Sequence, residues 1–207
     1  MFHDRMFFTK GLRMDITNYI KESVDTKTKI LNDENILSAI KKISYEIVGA
    51  YRNGKKVLTA GNGGSACDSQ HIAGELVAKF FIDRPGLNAI SLVNYISSMT
   101  AISNDYGYEK SFSRQIQALA SEGDVFIALS TSGNSKNIIM ALEEAKNKGV
   151  ITVGLVGENE CEMDYLCDYI VHIPSKNTPI IQESHIMLGH LICAMVEETL
   201  FSEIVIS

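Results

Sequence analysis

Short apolar runs alternate with amphipathic segments along most of the chain. Five runs of four to six residues are rich in Val, Ile, Leu and Ala, and they are Val57–Ala60, Ala89–Val93, Val125–Leu129, Ile151–Val156 and Tyr169–Ile173. Near-continuous apolar strands separated by helices are typical of a parallel sheet that is covered on both faces. The pattern therefore predicts an α/β fold, a doubly wound five-stranded parallel sheet.

Helical periodicity fills the segments around these runs. Two helices are predicted before the first strand, and Asn53-Gly54 after the second one is typical of a helix C-cap. The last segment, Ile181–Phe201, is apolar on more than one face, which favours contact of its outer face with another subunit. The two helices before the first strand are predicted at 14–31 and 35–51, and the others before the last segment at 66–81, 95–103, 110–121, 136–148 and 162–166.

The length of 207 residues favours one domain with a sizeable core. Met14-Asp15 is as good a beginning as Met1, so residues 1–13 are predicted to be an N-terminal extension. Residues 14–207 are predicted to be one domain, with additional helices at both ends of the sheet.

Composition excludes several classes of partner. The net charge of −6 and the lack of a basic stripe argue against nucleic acid. No apolar run approaches the ~18 residues of a membrane span, so no membrane partner is predicted. Four cysteines without a CxxC pair or disulfide-like spacing suit a reducing cytosol, which predicts a cytoplasmic protein.

A glycine-rich turn, Gly61-Asn62-Gly63-Gly64-Ser65, joins the first strand to a helix. Backbone N–H groups at such a turn and at the helix N-terminus bind anions, and the Ser65 hydroxyl adds a donor. On that helix His71 and Glu75 are four residues apart and share a face, where they are able to hold a metal or move a proton. As a plain surface pair they would contribute only ~0.3–0.5 kcal/mol.

The same turn also matches the G-x-G-x-x-G/A fingerprint of dinucleotide binding. That fingerprint requires an acidic residue at the end of the next strand. Asp83 has roughly the required separation but precedes the strand, and Asn94 stands at its end. Dinucleotide binding therefore remains a minor alternative.

A second turn of the same kind follows the third strand. Ser130-Thr131-Ser132-Gly133-Asn134-Ser135 contains four hydroxyl groups and leads into a helix. Ligands of open α/β sheets bind outside the carboxyl ends of the strands, where hydroxyl groups and a helix N-terminus suit a phosphate. We interpret this turn as the phosphate holder and the first turn as lining for a sugar.

From Met14 to about Leu200 the chain resembles the phosphoheptose isomerases, a family of sugar isomerase (SIS) domains. The resemblance rests on five motifs in order, which are Gly61-Asn62-Gly63-Gly64-Ser65, His71 with Glu75, Ser103-Asn104-Asp105-Tyr106-Gly107, Ser130-Thr131-Ser132-Gly133-Asn134-Ser135, and Gln182-Glu183 with His190. It implies conversion of sedoheptulose 7-phosphate into D-glycero-D-manno-heptose 7-phosphate, toward heptose for lipopolysaccharide or capsule. It further implies a homotetramer with active sites at subunit interfaces and one zinc ion per subunit.

The resemblance also implies a role for individual residues. The implied zinc ligands are His71, Glu75, Gln182 and His190, and proton transfer is assigned to Glu75 and His190. The implied substrate contacts are Asn62, Gly63, Gly64, Asn104, Asp105, Ser130, Thr131, Ser132, Ser135 and Gln182. The Ser65 hydroxyl and the Glu75 carboxylate are predicted to contact the substrate as well.

The chemistry suits these residue types. Aldose–ketose isomerisation through an enediol needs a base for the carbon-bound proton and a second group for the oxygens. Gln182 and His190 are eight residues apart, ~12 Å along a helix, so two side chains on one regular helix could bind the same metal ion only at the limit of their lengths. Either Gln182 precedes the regular helix or the ligands meet across subunits, and His185 is a rival ligand.

Two positions depart from the family pattern. Gly74 stands where the family often has a second acidic residue, and Ile181 where it usually has an arginine, which leaves the sugar preference open. A non-catalytic SIS-fold protein that binds a replication initiator or another protein is the alternative function. The nearest enzymatic alternative is an isomerase of another sugar phosphate, such as arabinose 5-phosphate.

Overall fold

A parallel sheet of five strands forms the centre of the computed structural model, which describes residues 15–202. The strands lie in the order β2-β1-β3-β4-β5, and each neighbouring pair is parallel. Their bounds are Val57–Gly61 (β1), Ala89–Ser91 (β2), Val125–Ser130 (β3), Ile151–Val156 (β4) and Tyr169–His172 (β5). The predicted fold class is confirmed, whereas the extension predicted for residues 1–13 lies outside the described residues.

Helices cover both faces of the sheet. Their bounds are Ile16–Leu31 (α1), Glu34–Arg52 (α2), Gly64–Val77 (α3), Ile96–Tyr106 (α4), Ser113–Leu119 (α5), Lys136–Asn147 (α6) and Thr178–Phe201 (α7), with 3-10 helices at Tyr108–Lys110 and Glu162–Tyr165. One apolar core lies between the sheet and α2, α3 and α7, and a second lies between the sheet and α5 and α6. Neighbouring strand residues such as Val57 and Leu58 belong to opposite cores, because successive side chains of a strand point to opposite faces.

The strand order places two connections side by side. From β1 the chain moves to the edge strand β2 and then returns to β3 on the other side of β1. Gly61 at the end of β1 pairs with Leu129 near the end of β3, so the turns that follow them are neighbours. Such a change of direction creates the crevice in which open α/β sheets bind ligands.

The predicted bounds of α3, α4 and α5 were wrong. Helix α3 begins two residues earlier than predicted and ends at Val77 instead of residue 81, because the backbone N–H groups of residues 80–82 turn away and donate to the Glu197 carboxylate. Helix α4 continues to Tyr106, where Gly107 at φ +92° ends it. Helix α5 is shorter than predicted at both ends and follows the 3-10 turn Tyr108–Lys110.

Helix α7 is longer than predicted and begins at Thr178, with Pro179 in the first turn, where a missing N–H costs nothing. Contrary to the sequence expectation, α7 is long and apolar enough to cross a membrane by length and composition alone. Half of its most apolar window is buried inside the protein, and Leu188, Ile192 and Val196 belong to the core beside α2 and α3. It is therefore a core helix of this domain.

Candidate active site and metal centre

Helices α3 and α7 bring two imidazoles and a carboxylate together. His71 Nε2 lies 3.0 Å from Glu75 Oε1 one turn further along α3. His190 Nε2 on α7 lies 3.4 Å from His71 Nε2, and the two rings meet edge to face at 74°. One donor atom from each residue falls within 4.8 Å of the others.

This donor set fits a zinc ion. Nitrogen and oxygen ligands about 2.0–2.2 Å from a tetrahedral zinc lie roughly 3.3–3.6 Å from one another, close to the separations of these three side chains. Imidazole and carboxylate are also ligand types that zinc accepts. His71 is exposed and Glu75 and His190 are half-buried, so the group is open to a small molecule.

Gln182 lies in the second turn of α7, inside the regular helix, so the alternative that it precedes the helix was wrong. Its amide is packed against the first turn: a Cβ atom added to Gly64 would lie 2.6 Å from Gln182 Oε1 and 2.7 Å from Nε2. Only a glycine at position 64 allows this approach. Gln182 thereby joins the turn after β1 to the helix that carries His190.

His185 is excluded from the cluster by its position in the core. It is fully buried, and its Nε2 lies 3.3 Å from the carbonyl oxygen of Val156 at the end of β4. Burial lowers the pKa of His185 to about 4, so the ring is neutral at pH 7. The rival ligand is thus a structural histidine.

The side chain of Asn62 is held by a network that the sequence did not reveal. Asn62 and Asn137 exchange two amide hydrogen bonds of 2.8 and 2.9 Å, and the Tyr108 hydroxyl donates to Asn62 Oδ1 over 2.7 Å. Asn137, in the first turn of α6, is buried. Nothing in the residue types at 108 and 137 distinguishes them from ordinary surface positions.

The rest of the first turn has little freedom. Gly63 has φ +56°, and a Cβ atom at Gly61 would lie 2.4 Å from the carbonyl oxygen of Ser65. Ser65 is buried beneath the turn, whereas Gly63 and Gly64 are exposed. The turn therefore presents backbone to the crevice, and Gly63 caps helix α3.

Hydroxyl groups of the second turn converge at the start of α6. Ser130 Oγ lies 3.1 Å from Ser135 Oγ and 3.5 Å from Ser132 Oγ. Gly133 has φ +64°, and a Cβ atom there would lie 2.2 Å from the Cys161 sulfur, so the turn is pressed against the β4–β5 connection. Ser135 is the N-cap residue of α6, and its side chain accepts no N–H of that helix, so its hydroxyl stays within the hydroxyl cluster of the turn.

Thr131 belongs to the turn after β3, whereas Asn104 and Asp105 lie on α4. Thr131 is half-buried, and its carbonyl oxygen accepts the N–H of Gly157. Asn104 and Asp105 are exposed in the last turn of α4 and hydrogen-bond each other over 2.8 Å. Among residues 15–202, neither side chain hydrogen-bonds any predicted site residue outside this pair.

Asp68 is an acidic neighbour of the cluster that sequence reasoning missed. It stands one helical turn before His71, and its Oδ2 atom is buried and has no hydrogen-bond partner among the described residues. Burial raises the pKa of Asp68 to about 6, and the proximity of His71 opposes the rise. Its spacing of three from His71 was the available signal.

Comparison with known proteins defines the class of protein first. Residues 18–157 match the family model described as the SIS domain. Because the match covers more than half of the chain, the chain belongs to the SIS domain family.

Individual relatives then show which group of this family the chain belongs to. The chain is 55% identical over 186 residues to a phosphoheptose isomerase of Aneurinibacillus thermoaerophilus, covering 90% of this chain and 94% of that one. It is 54% identical over 194 residues to phosphoheptose isomerase 2 of Campylobacter jejuni, with coverage of 94% and 96%. A solved phosphoheptose isomerase from Francisella tularensis superposes with a TM-score of 0.85 at 32% identity, covering 88% of this chain and 96% of that one. Within the SIS domain family, the chain belongs to the phosphoheptose isomerases.

Proposed function

We propose that this chain converts sedoheptulose 7-phosphate into D-glycero-D-manno-heptose 7-phosphate. The observation that carries the proposal is the cluster of His71, Glu75 and His190, whose donor atoms lie within 4.8 Å of one another. Helix α3, which carries His71 and Glu75, starts from a glycine turn at the carboxyl edge of the sheet, beside the hydroxyl turn after β3. The two relatives at 54% and 55% identity bear the name phosphoheptose isomerase.

We propose one zinc ion per subunit, held by His71, Glu75 and His190 with Gln182 as the fourth ligand. The separations within the cluster and the types of donor support zinc, and the contact of the Gln182 amide with Gly64 places its oxygen beside the turn from which α3 starts. When bound, the metal supplies a positive charge that polarises the carbonyl group of the open-chain sugar.

Proton transfer is assigned to Glu75 and His190. A carboxylate beside the substrate carbon is able to take its proton, which gives the enediol, and an imidazole is able to pass protons between the two oxygens. The contact of Phe80 with the His190 ring, at 5.6 Å between centroids, supports a fixed orientation for that imidazole.

Two turns hold the sugar phosphate in this proposal. Ser130, Thr131, Ser132 and Ser135 bind the phosphate, and the N-terminus of α6 adds its partial positive charge. Since the phosphate does not react, its binding energy serves to position the open-chain sugar. Gly63, Gly64 and Ser65 line the sugar chain with backbone N–H groups, and the remaining N–H of the Asn62 amide is available to a hydroxyl.

Asn104 and Asp105 complete the sugar site in this proposal. Both are exposed on α4, so their contribution requires closure of the crevice by substrate or by a neighbouring subunit. We therefore propose a homotetramer with active sites at subunit interfaces. The exposed apolar side chains beside His190, such as Phe81 and Leu191, support such an interface.

The cellular setting is proposed from the sequence. We propose a single domain over residues 14–207 that works in the cytoplasm and feeds heptose into lipopolysaccharide or capsule. The alternative, a non-catalytic SIS-fold protein that binds a replication initiator, does not require the apposition of two imidazoles and a carboxylate. That apposition, together with relatives that are named as enzymes, favours the isomerase.

The direct test is incubation of the purified protein with sedoheptulose 7-phosphate and zinc while aldose formation is followed. Glu75→Gln keeps the size of the side chain but removes the base, and we expect kcat to fall by about 10²–10⁴-fold. Glu143→Gln, at an exposed position on α6, is the matched control and retains full activity. Absence of product with the wild-type protein, or full activity of Glu75→Gln, would refute the proposal.

A further inference from the structure

A buried ion pair joins the end of α3 to α7 just outside the cluster. Arg84 Nε donates to Glu197 Oε2 over 2.9 Å, and both side chains are only 1% exposed. Arg84 belongs to the connection between α3 and β2, and Glu197 lies seven residues after His190, two helical turns further along α7. Neither residue belongs to the proposed metal or substrate site.

Glu197 organises the segment that follows α3. Its carboxylate accepts the backbone N–H groups of Phe80, Phe81 and Ile82 over 2.9, 2.5 and 2.7 Å. Because the backbone of Phe80 is fixed in this way, its ring stays 5.6 Å from the ring of His190. Glu197 therefore influences the position of the His190 ring indirectly, through Phe80.

Arg84 binds the backbone of α3 at Glu75. Its Nη2 donates to the carbonyl oxygen of Glu75 over 3.0 Å, and its Nη1 donates to that of Leu76 over 2.8 Å. These carbonyl groups belong to the last turn of α3, where carbonyl oxygens have no N–H donor within the helix. One guanidinium thus binds the backbone of Glu75 and the carboxylate of Glu197 at the same time.

A close helix contact supplies the second fixed point between α3 and α7. A Cβ atom at Gly189 would lie 2.6 Å from Ile72 Cγ1, so the helices touch beside His71 and His190. One contact allows two helices to pivot about it, whereas two contacts fix their crossing. The ion pair is the contact on the far side of Glu75.

We propose that Arg84 and Glu197 are positioning residues that fix Glu75 and His190 relative to each other. Arg84 acts through the backbone of Glu75, and Glu197 acts through Phe80 on the imidazole of His190. The consequence for metal binding and catalysis rests on the proposed isomerase function, whereas the consequence for the position of His190 does not.

The test compares two buried ion pairs. Glu197→Gln keeps the shape of the side chain but places an NH2 group against N–H donors, and Arg84→Lys keeps the charge but cannot reach Glu75 and Glu197 together. Asp124→Asn is the matched control, because Asp124 is equally buried, pairs with Lys56 over 2.6 Å and accepts two backbone N–H groups, far from the cluster. Arg84→Lys serves as the milder variant if Glu197→Gln does not fold.

Three measurements are made on each variant, each at the same number of degrees below the Tm of that variant. In metal-free protein, NMR of the histidine rings reports the effect of the Phe80 ring on the ring protons of His190, with Phe80→Leu as the reference. Zinc affinity is measured by competition with a chelating dye, and kcat and KM are measured with sedoheptulose 7-phosphate. We expect shifted His190 signals, zinc affinity weakened by about 10- to 100-fold, and kcat lowered by about 10- to 100-fold with a smaller change in KM.

The outcomes separate the two proposals. If Glu197→Gln and Arg84→Lys match Asp124→Asn in the His190 signals and in zinc affinity, the pair is structural only and the positioning role is refuted. If the wild-type protein neither binds zinc nor isomerises the substrate, the proposed function fails, and the His190 signals alone still decide whether the pair positions that ring.

Discussion

His185 shows how burial converts one side chain into a pH dependence of stability. Burial lowers its pKa from 6.5 to about 4, so the unfolded chain binds a proton more readily than the folded protein does. The free energy of unfolding therefore falls as the pH drops through 6.5 and continues to fall toward pH 4. At pH 5 the loss from this residue is about 2 kcal/mol relative to pH 8.

Urea unfolding of the wild-type protein and His185→Gln at pH 8 and pH 5 checks this prediction. The glutamine is neutral and is still able to donate to the Val156 carbonyl oxygen. Asp68, with its raised pKa of about 6, has the opposite effect, because its burial penalty disappears as the pH falls from 6 to 3.8. Asp68 is common to both proteins, so the difference between them isolates His185. An equal loss of stability in both proteins would contradict the assignment.

At the level of single residues, sequence reasoning succeeded where helical spacing decides the outcome. His71 and Glu75 share a face because they are four apart, and the structure brings them within 3.0 Å. Sequence reasoning failed where the hydrogen-bond partner of a residue is distant in the sequence. The reciprocal amide bonds of Asn62 and Asn137 join residues 75 positions apart, and no local pattern marks either residue for that contact.

Helix α3 contains two glycines whose substitution has opposite expected effects. At Gly64 a Cβ atom would lie 2.6 Å from Gln182 Oε1, so Gly64→Ala displaces the Gln182 amide from the turn. Because Gln182 is a proposed ligand, we expect zinc affinity to fall and KM to rise. Chelator competition and steady-state kinetics measure both effects, and unchanged values would exclude Gln182 from the site.

Gly74 is the contrasting position on the same helix. A Cβ atom there meets nothing within 4 Å, and the backbone is already helical. Alanine loses less conformational freedom than glycine on folding, so Gly74→Ala is expected to raise the free energy of unfolding by about 0.5–1 kcal/mol. Denaturant titration measures the gain, and a loss of stability would show that another subunit approaches this position.

Element types were predictable and element ends were not. Apolar runs located all five strands, because a strand that is covered on both faces leaves a continuous apolar signature. The end of α3 depends on Glu197, which lies 115 residues beyond Ile82, and a local window does not contain that partner. Likewise, Asn104 and Asp105 have the composition of a turn, yet α4 continues through them to Tyr106.

At the scale of the whole molecule, the outer side of α7 and the segment after α3 form one apolar surface. Phe80, Phe81, Ile186, Met187 and Leu191 line a groove that also includes His190. Phe81 is 78% exposed and Leu191 is 46% exposed in the single chain. Contact of so large an apolar surface with water is unfavourable, which supports the proposed subunit interface. Because His190 also lines the groove, we expect loss of that interface to lower activity.

This apolar surface is the proposed contact between subunits. We expect the wild-type protein to sediment at about four times the 22.8 kDa of one chain. Phe81→Glu places a charge in the proposed interface and is expected to lower both the sedimenting mass and the isomerase activity, while the midpoint of urea unfolding stays measurable. Tyr165→Glu is the control, since Tyr165 is 73% exposed in the 3-10 helix between β4 and β5, and it is expected to leave mass and activity unchanged. A wild-type protein that is fully active as a 22.8 kDa monomer would contradict both the tetramer and the need for a second subunit at the site.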